Sequence, residues 1–261
     1  MLLAIDVGNS NIVLGVFEGE LLIESWRLFT MRERTADELG ILVVHLFERS
    51  DIDSAAVDGI ILSSVVPPLT RTVEEMCERF FDKRPLTVDP AVNSGMPVLY
   101  QPPSDVGADR VVNGVAAYEL FGRANGTAVI VVDFGTGTTF DVISVRGEYL
   151  GGVICPGIGI SADALFQRAS RLPRVDVRKP PSVIGHTTVT SMQSGLFFGY
   201  VSMVDGMVTR IRAELEGGSD AACIATGGMA DVVAAETTAI QRVEPDLTLQ
   251  GLRIIWERNA H

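Results

Sequence analysis

The pattern of apolar and polar positions divides the first part of the chain into strands followed by helices. Apolar, β-rich runs cover residues 2–6, 12–17 and 21–28 with tight turns between them, which predicts an antiparallel meander. Thr35, followed by Glu38, then forms a capping-box sequence ahead of apolar residues at helical spacing. The pattern continues with a predicted strand, helix and strand over residues 57–63, 67–81 and 86–89.

A loop and a helix complete this part of the chain. Residues 93–104 are rich in Pro, Gly and polar residues, which predicts a long surface loop of the kind that often carries function. A helix is predicted from residue 107 to about residue 120. The Gly-rich segment 122–126 breaks this helix and is the predicted domain boundary.

The opening pattern then recurs. The Asp-x-Gly sequence that starts at Asp6 returns at Asp133, each time at the end of an apolar run and before a turn of small and hydroxyl residues. An internal repeat of this kind indicates a duplicated supersecondary unit. The elements predicted after the boundary are strands over 128–133, 140–145, 149–155 and 221–226, helices over 159–171, 189–215, 231–237 and 247–258, and a Pro-rich loop over 173–184.

The order of elements in the first part, β-β-β-α-β-α-β, is that of a ribonuclease H-like domain. Its recurrence predicts an α/β protein of two such domains, residues 1–122 and 123–261, with mixed sheets flanked by helices. The length of 261 residues fits two domains of roughly 100–150 residues each.

Charge and composition narrow the functional classes. The formal net charge is −12 and the chain has no dense Lys/Arg run, so nucleic acid is not an expected partner. No apolar run is long enough to span a membrane, and the amino terminus lacks the basic region of a signal peptide. Three scattered cysteines fit a reducing compartment, which predicts a cytoplasmic protein.

The two Asp-x-Gly turns are the strongest chemical signal. Glycines let backbone N–H groups approach phosphate oxygens, and a carboxylate at the strand end can hold Mg²⁺. Two ordinary β-hairpins with Gly-rich turns are the alternative, but the recurrence favours a clasp for a polyphosphate. The chain has neither a P-loop nor a G-x-G-x-x-G that opens a helix, since the turn after Asp133 leads into a strand. The pattern therefore predicts an ATP-dependent phosphotransferase of the actin, sugar kinase and heat-shock ATPase type.

Two further motifs carry candidate chemistry. Gly227 and Gly228 follow a predicted strand and would let a flat group such as adenine or ribose lie against the backbone, although a bare connection also requires glycine. Asp109 lies in the first turn of a predicted helix, where it can cap the helix or act as a general base. The neighbouring Arg110 offers a fork for a substrate carboxylate, or a surface ion pair.

At these residues the sequence resembles the type III pantothenate kinases, bacterial enzymes of coenzyme A synthesis, over essentially the whole chain. The resemblance rests on motifs that occur in the family's order, at residues 6–11, 107–110, 133–139, 151–157 and 226–228. It implies that Asp109 takes the proton from the 4′-hydroxyl of pantothenate, which attacks the γ-phosphate of an ATP bound between the domains. Another kinase of the superfamily, acting on a sugar or a carboxylate, and a non-catalytic relative are the rival interpretations.

The resemblance also implies roles for individual residues. Asp133 is the implied ligand of K⁺ or NH₄⁺, Asp6 lies near Mg²⁺, and Thr136 contacts ATP. Tyr100 and the clamp formed by Gly107, Ala108, Asp109 and Arg110 contact pantothenate, together with Thr188 from the second subunit of a homodimer. The adjacent Thr187 is the alternative to Thr188, because the motif here departs from the family's Gly-Lys-Asn-Thr. The first ATP phosphate loop consists of Asp6, Val7, Gly8, Asn9, Ser10, Asn11, Ile12 and Val13.

Overall fold

A computed structural model describes residues 1–89 and 92–260. The chain divides into two compact units. The first unit contains Met1–Ala116 together with the segment from Asp246 to the carboxyl terminus, and the second contains Ala117–Pro245. In the described part of the chain, no helix is long and apolar enough to cross a membrane.

The first unit is built on a mixed five-stranded sheet. The strand order is β3-β2-β1-β4-β5, in which the first three strands are an antiparallel meander and β4 and β5 run parallel to β1. The elements are β1 (Leu2–Val7), β2 (Asn11–Glu18), β3 (Leu21–Phe29), α1 (Ala36–Arg49), β4 (Gly59–Ser64), α2 (Pro67–Phe81), β5 (Leu86–Thr87), α3 (Ala108–Ala117) and the last helix, α7 (Leu247–Asn259).

The second unit repeats this topology. Its sheet has the order β8-β7-β6-β9-β10, so β6 takes the place of β1 and β9 that of β4. Both meanders also have a register shift at corresponding positions, between Val16 and Phe17 and between Val142 and Ile143. The elements are β6 (Val129–Phe134), β7 (Gly137–Ile143), β8 (Tyr149–Pro156), α4 (Ile158–Arg168), α5 (Thr188–Glu214), β9 (Ala222–Gly227), α6 (Ala230–Ala234) and β10 (Arg242–Val243).

The fold class and the duplication predicted from the sequence are confirmed. The helical segment predicted up to residue 120 changes form, because α3 ends at Ala117 and a π-helical turn, Tyr118–Gly122, follows. Strand β7 begins at Gly137 rather than at residue 140, since Phe134 already pairs with Thr138 directly after the turn. The two-residue strand β10 was not predicted, because a run this short has no readable period.

The sequence predicts a boundary between residues 122 and 123 and thus places the C-terminal helix in the second domain. In the structure, α7 belongs to the first unit instead. It covers the sheet face opposite α1 and α2, because the strand positions that meet it, Gly15 and Gly59, alternate with residues of the core that α1 and α2 form with the sheet. A Cβ at Gly15 would lie 2.7 Å from Leu249, and one at Gly59 would lie 2.1 Å from Trp256. These strand glycines therefore make room for the helix. A closing helix cannot be assigned to a unit from its own amphipathic pattern, which does not say which sheet face it covers.

Candidate active site

The turn between β1 and β2 forms the first candidate phosphate loop. Its ends are joined by the N–H of Gly8, which donates to Asn11 O at 2.9 Å. Thr30, at the end of β3, donates its hydroxyl to Gly8 O at 2.7 Å and its N–H to Ser10 O at 3.0 Å. Thr30 is a buried residue that the sequence motif does not include. It fixes the backbone of the loop from the neighbouring strand.

The predicted loop residues have unequal surroundings. Val7 and Ile12 are buried in the core of the first unit, so only their backbone groups can serve a ligand. Asn9 is exposed at the tip of the turn, and Asp6 is half-buried at the end of β1. Strand alternation explains the difference, since successive side chains point to opposite faces of the sheet.

A hydroxyl stands beside the strand-end carboxylate in both units. Ser63 on β4 is in register with Asp6, and Thr226 on β9 is in register with Asp133. Both hydroxyl residues are buried. Reasoning from the sequence missed Ser63, although its place at the end of a predicted strand matches that of Thr226 in the second repeat.

The turn between β6 and β7 forms the second candidate loop. The N–H of Gly135 donates to Gly137 O at 3.0 Å. The N–H of Gly157, just after β8, donates to Thr136 O at 3.1 Å, and a Cβ at Gly157 would lie 2.1 Å from that same oxygen. Thr136 is exposed at the tip. Gly157 is therefore required for the close approach that fixes the loop.

The Gly227–Gly228 pair lies against the second loop. Gly227 has φ +92°, and a Cβ there would lie 2.7 Å from Asp133 Oδ1. The N–H of Gly228 donates to Phe134 O at 3.2 Å, whereas a Cβ at Gly228 would meet nothing within 4 Å among the described atoms. The structure thus brings Asp133, Thr136 and this pair together at one edge of the second sheet.

Asp109 lies at the start of α3 at the corresponding edge of the first sheet. A Cβ at Gly107 would lie 2.6 Å from Asp109 Oδ1 and 3.6 Å from Cγ1 of Val65. The N–H of Val65 donates to Val7 O at 3.0 Å, so this corner adjoins the start of the first phosphate loop. The predicted base and the predicted loop therefore converge in the folded unit.

The surroundings of Asp109 favour its protonated form. Burial raises the pKa of Asp109, and this effect outweighs the N–H and the guanidinium of Arg110, which lower the pKa. The Arg110 N–H donates to Asp109 Oδ1 at 2.8 Å. A carboxylate whose pKa lies closer to neutrality is a stronger base, so the environment suits proton abstraction.

A cavity of about 930 Å³ opens in the first unit beside Gly107 and Ala108, the two residues that precede Asp109. The loop over residues 92–98 forms one wall, while Ser64, Val65, Gly107 and Ala108 line the side near the sheet edge. Tyr100 lies in a neighbouring pocket that shares Val98 and Pro103 with this cavity. The long loop thus lies over a concave surface, as its composition predicts.

Thr188 lies in the second unit, at the first position of α5. It lines a pocket with Leu172, Gly185, His186, Thr187, Ser191 and Met192. Thr187 is the N-cap, and its hydroxyl accepts the N–H of Thr190 at 3.1 Å. Both threonines line this pocket, and Thr187 in addition caps α5, so the choice between them as a substrate contact stays a prediction.

The candidate cation-binding positions in both loops offer oxygen ligands. Among residues 1–89 and 92–260, no three His, Cys, Asp or Glu side chains group as a metal site. Each loop instead supplies one strand-end carboxylate, a neighbouring hydroxyl and backbone carbonyls. Mg²⁺ in phosphoryl-transfer sites is commonly held by one or two carboxylates together with substrate phosphates and water, so this donor set fits.

Comparisons with known proteins agree with this chemistry. The family model described as "Type III pantothenate kinase" matches residues 2–210. The chain is 57% identical to a type III pantothenate kinase of Myxococcus xanthus over 259 residues, which is 99% of each protein. It is 55% identical to one from Anaeromyxobacter sp. strain K over 259 residues, covering 99% of this chain and 100% of that one.

Among solved structures, the chain resembles an inorganic polyphosphate/ATP-glucomannokinase from Arthrobacter sp. strain KM. The TM-score is 0.52 at 14% identity, with 98% of each chain covered. At this identity the similarity is evidence for the fold alone, and it supports the two-sheet architecture described above.

Proposed function

Because the chain belongs to the type III pantothenate kinase family, we infer that it transfers the γ-phosphate of ATP to the 4′-hydroxyl of pantothenate. It is an ATP-dependent kinase, its product is 4′-phosphopantothenate, and the reaction is the first step of coenzyme A biosynthesis. The observation that supports the mechanism is the position of Asp109, which is half-buried, directly follows two residues that line the cavity, and lies at the corner that adjoins the first phosphate loop.

Asp109 is the proposed catalytic base. It accepts the proton of the pantothenate hydroxyl while that oxygen attacks the γ-phosphorus and the bond to the ADP oxygen breaks. Its raised pKa and its place on the first turn of a helix, next to Gly107, support the role. The helix fixes the carboxylate on a rigid element, so little reorganisation is needed when the substrate is bound.

Each of the two turns is a proposed contact for the phosphates of ATP. The loop from Asp6 to Val13 offers backbone N–H groups, with Thr30 holding its shape, and Thr136 offers a hydroxyl on the second loop. Gly227 packs closely against the second loop, and Gly228, beside which a Cβ would meet nothing within 4 Å, leaves open backbone for adenine or ribose. Glycines at close approaches support this proposal, since side chains there would displace the loop or block the ligand.

Two cations complete the proposal. Asp6, with its register partner Ser63, is the proposed carboxylate near Mg²⁺, and Asp133, with Thr226, is the proposed ligand of K⁺ or NH₄⁺. When bound, the cations neutralise charge that develops on the phosphate oxygens. Hard oxygen donors suit all of these ions.

The proposed pantothenate site is formed by Tyr100, the segment from Gly107 to Arg110, and Thr188. The cavity beside Gly107 and the adjacent pocket of Tyr100 support the first two contacts. The Thr188 contact from a second subunit, the homodimer and the cytoplasmic location stay predictions.

An ADP-release assay tests the function. Purified protein is assayed with ATP, Mg²⁺ and pantothenate, with K⁺ or with choline as the counter-cation, and Asp109→Asn and Asp105→Asn are compared with the parent. Asp105 is an exposed carboxylate nearby and serves as the matched control. Pantothenate-dependent ADP release is expected in the parent and in Asp105→Asn. Its absence in the parent would refute the kinase assignment, and full turnover by Asp109→Asn would refute only the choice of base.

A further inference from the structure

A fully buried carboxylate lies in the sheet of the second unit. Asp141 on β7 is 0% exposed. The hydroxyl of Tyr149 donates to its Oδ1 at 2.6 Å, and the hydroxyl of Thr139 donates to its Oδ2 at 3.1 Å. Tyr149 is itself completely buried. Burial of a carboxylate is costly even with hydrogen bonds, so the retention of this group requires a reason.

Thr139 connects this carboxylate to the second phosphate loop. It is the cross-strand partner of Asp133, and directly opposed residues in a sheet share one face with Cβ atoms about 4.5–5.5 Å apart. The polar side chains Asp133, Thr139, Asp141 and Tyr149 therefore form a row on one face, which runs from the strand end into the sheet. We call this row the polar row.

The Gly151–Gly152 pair makes room for the polar row. Gly152 is the cross-strand partner of Asp141, so no side chain competes with the carboxylate there. Gly151 has φ +129°, a conformation that favours glycine, and lies at the register shift of this strand pair. The shift sets Tyr149 opposite Ile143, on the face that Asp141 shares. The Gly151–Gly152 pair is therefore explained by its packing around the polar row, whereas phosphate binding does not explain it.

The first unit serves as an internal comparison. There Asp6 is opposite Val13, and Gly15 stands where the second unit has Asp141. The space at Gly15 is filled by Leu249. In the first unit, Val13 and Gly15 thus occupy positions at which the second unit has polar side chains. The shared topology therefore does not require a buried carboxylate at this position.

We propose that Asp141 is a positioning residue for the monovalent cation assigned to Asp133, and that it acts through Thr139. This inference rests on the proposed function. The single hydroxyl proton of Thr139 is committed to Asp141. Towards Asp133 the Thr139 oxygen can then offer only lone pairs, which makes it a neutral ligand for a cation.

The test measures the response to K⁺ in two independent ways. One is the half-saturating K⁺ concentration for ADP release, and the other is the K⁺-induced shift of Tm without substrates, both in a choline background. We expect Asp141→Asn and Thr139→Val to raise the half-saturating concentration about tenfold or more, as outer-shell partners of metal sites do, and to reduce the Tm shift.

Val142→Ala is the control for lost stability. Val142 is a buried residue on the opposite face of the same strand, so its truncation loosens packing without touching the polar row. Its half-saturating K⁺ concentration should equal that of the parent. An equal rise in this control would assign the effect to general destabilisation and overturn the proposal.

The outcomes separate this inference from the cation assignment. If Asp133→Asn abolishes the K⁺ response while Asp141→Asn and Thr139→Val respond like the parent, the inference is rejected and the cation assignment stands. If the parent shows no K⁺ response by either measurement, the assignment to Asp133 fails and the inference falls with it. Should Asp141→Asn not fold, the isosteric Thr139→Val decides alone.

Discussion

At the scale of single residues, Asp109 is subject to opposing demands. As the proposed base it must be ionised, yet burial raises its pKa by more than the N–H and the guanidinium of Arg110 lower it. The native state therefore holds this proton more tightly than the unfolded chain does, and ionisation of Asp109 opposes folding. The contribution of Asp109 to the stability of the folded state is lost as pH rises from its ordinary pKa through its raised pKa. A stronger base at this position therefore lowers the stability of the protein near neutrality.

This balance predicts the pH dependence of the enzyme. Activity should be present above the raised pKa of Asp109 and should fall as pH decreases through it, with the acid limb of kcat/KM above the ordinary value of 3.8. A pH profile of pantothenate-dependent ADP release measures this. Asp109→Asn should lose about 10²–10⁴-fold in kcat and melt at the same or a higher temperature near neutrality. An acid limb at or below the ordinary value would contradict the assignment.

The adjacent glycines 227 and 228 allow a matched comparison at the same scale. Gly227→Ala introduces a methyl group 2.7 Å from Asp133 Oδ1 at a positive φ, and should destabilise the protein by about 1–3 kcal/mol. Gly228→Ala meets nothing within 4 Å and should leave the fold stable. Urea unfolding compares the two, and equal losses of stability would contradict the close approach at Gly227. A raised KM for ATP in Gly228→Ala alone would support a ligand on that surface.

At the scale of elements, side-chain caps fix the starts of α1 and α5. Thr35 and Glu38 form a reciprocal capping box at α1, as their spacing predicts. Thr187 and Thr190 do the same at α5, with Thr190 in the position that usually carries Glu or Gln. The second box is harder to recognise from the sequence for that reason, and it gives Thr187 a structural role at the start of α5.

Substitution of these threonines should separate stability from binding. Thr187→Ala removes the cap and should cost about 1 kcal/mol of stability, with little change in kcat. Thr188→Val keeps the shape of the side chain and should raise the KM for pantothenate while Tm stays unchanged. Thermal melts and substrate titrations measure the two effects. A reversal of this pattern would assign the substrate contact to Thr187.

At the scale of the whole molecule, the chain returns to its first unit. After the second unit, α7 packs on the first sheet and on α3, where a Cβ at Gly251 would lie 2.2 Å from Val112 O. The hydroxyl of Thr248 donates to Asn113 Oδ1 at 2.7 Å, one helical turn beyond Asp109. Helix α7 is therefore an integral part of the first unit.

Two helix glycines test this closure. Gly251→Ala should destabilise the first unit by about 1–3 kcal/mol, because the added methyl group meets the backbone of α3. Gly206→Ala, on α5 with nothing within 4 Å, should stabilise its helix by about 0.5–1 kcal/mol. Both tryptophans, Trp26 and Trp256, lie in the first unit, so Trp fluorescence follows its unfolding. Unchanged fluorescence melting in Gly251→Ala would show that α7 is not tightly docked.

The sequence by itself determined what is periodic or repeated in this protein. Strand and helix periods follow from which side chains can be buried together. The repeated Asp-x-Gly turn marks the end of the first strand in both sheets, because each turn is encoded within a few residues. The family's motifs added the kinase assignment that the comparisons confirm.

Only the tertiary structure decided what depends on register and on contacts distant in sequence. Ser63 beside Asp6, Thr30 on the first loop, α7 on the first sheet and the polar row behind Asp133 all join segments that no local pattern relates. The sequence does not distinguish a buried polar residue from any other strand residue, because strand pairing determines its hydrogen-bond partners. Secondary-structure propensity depends on residues close in sequence, whereas the electrostatics of the candidate site depend on which strands become neighbours in the sheet.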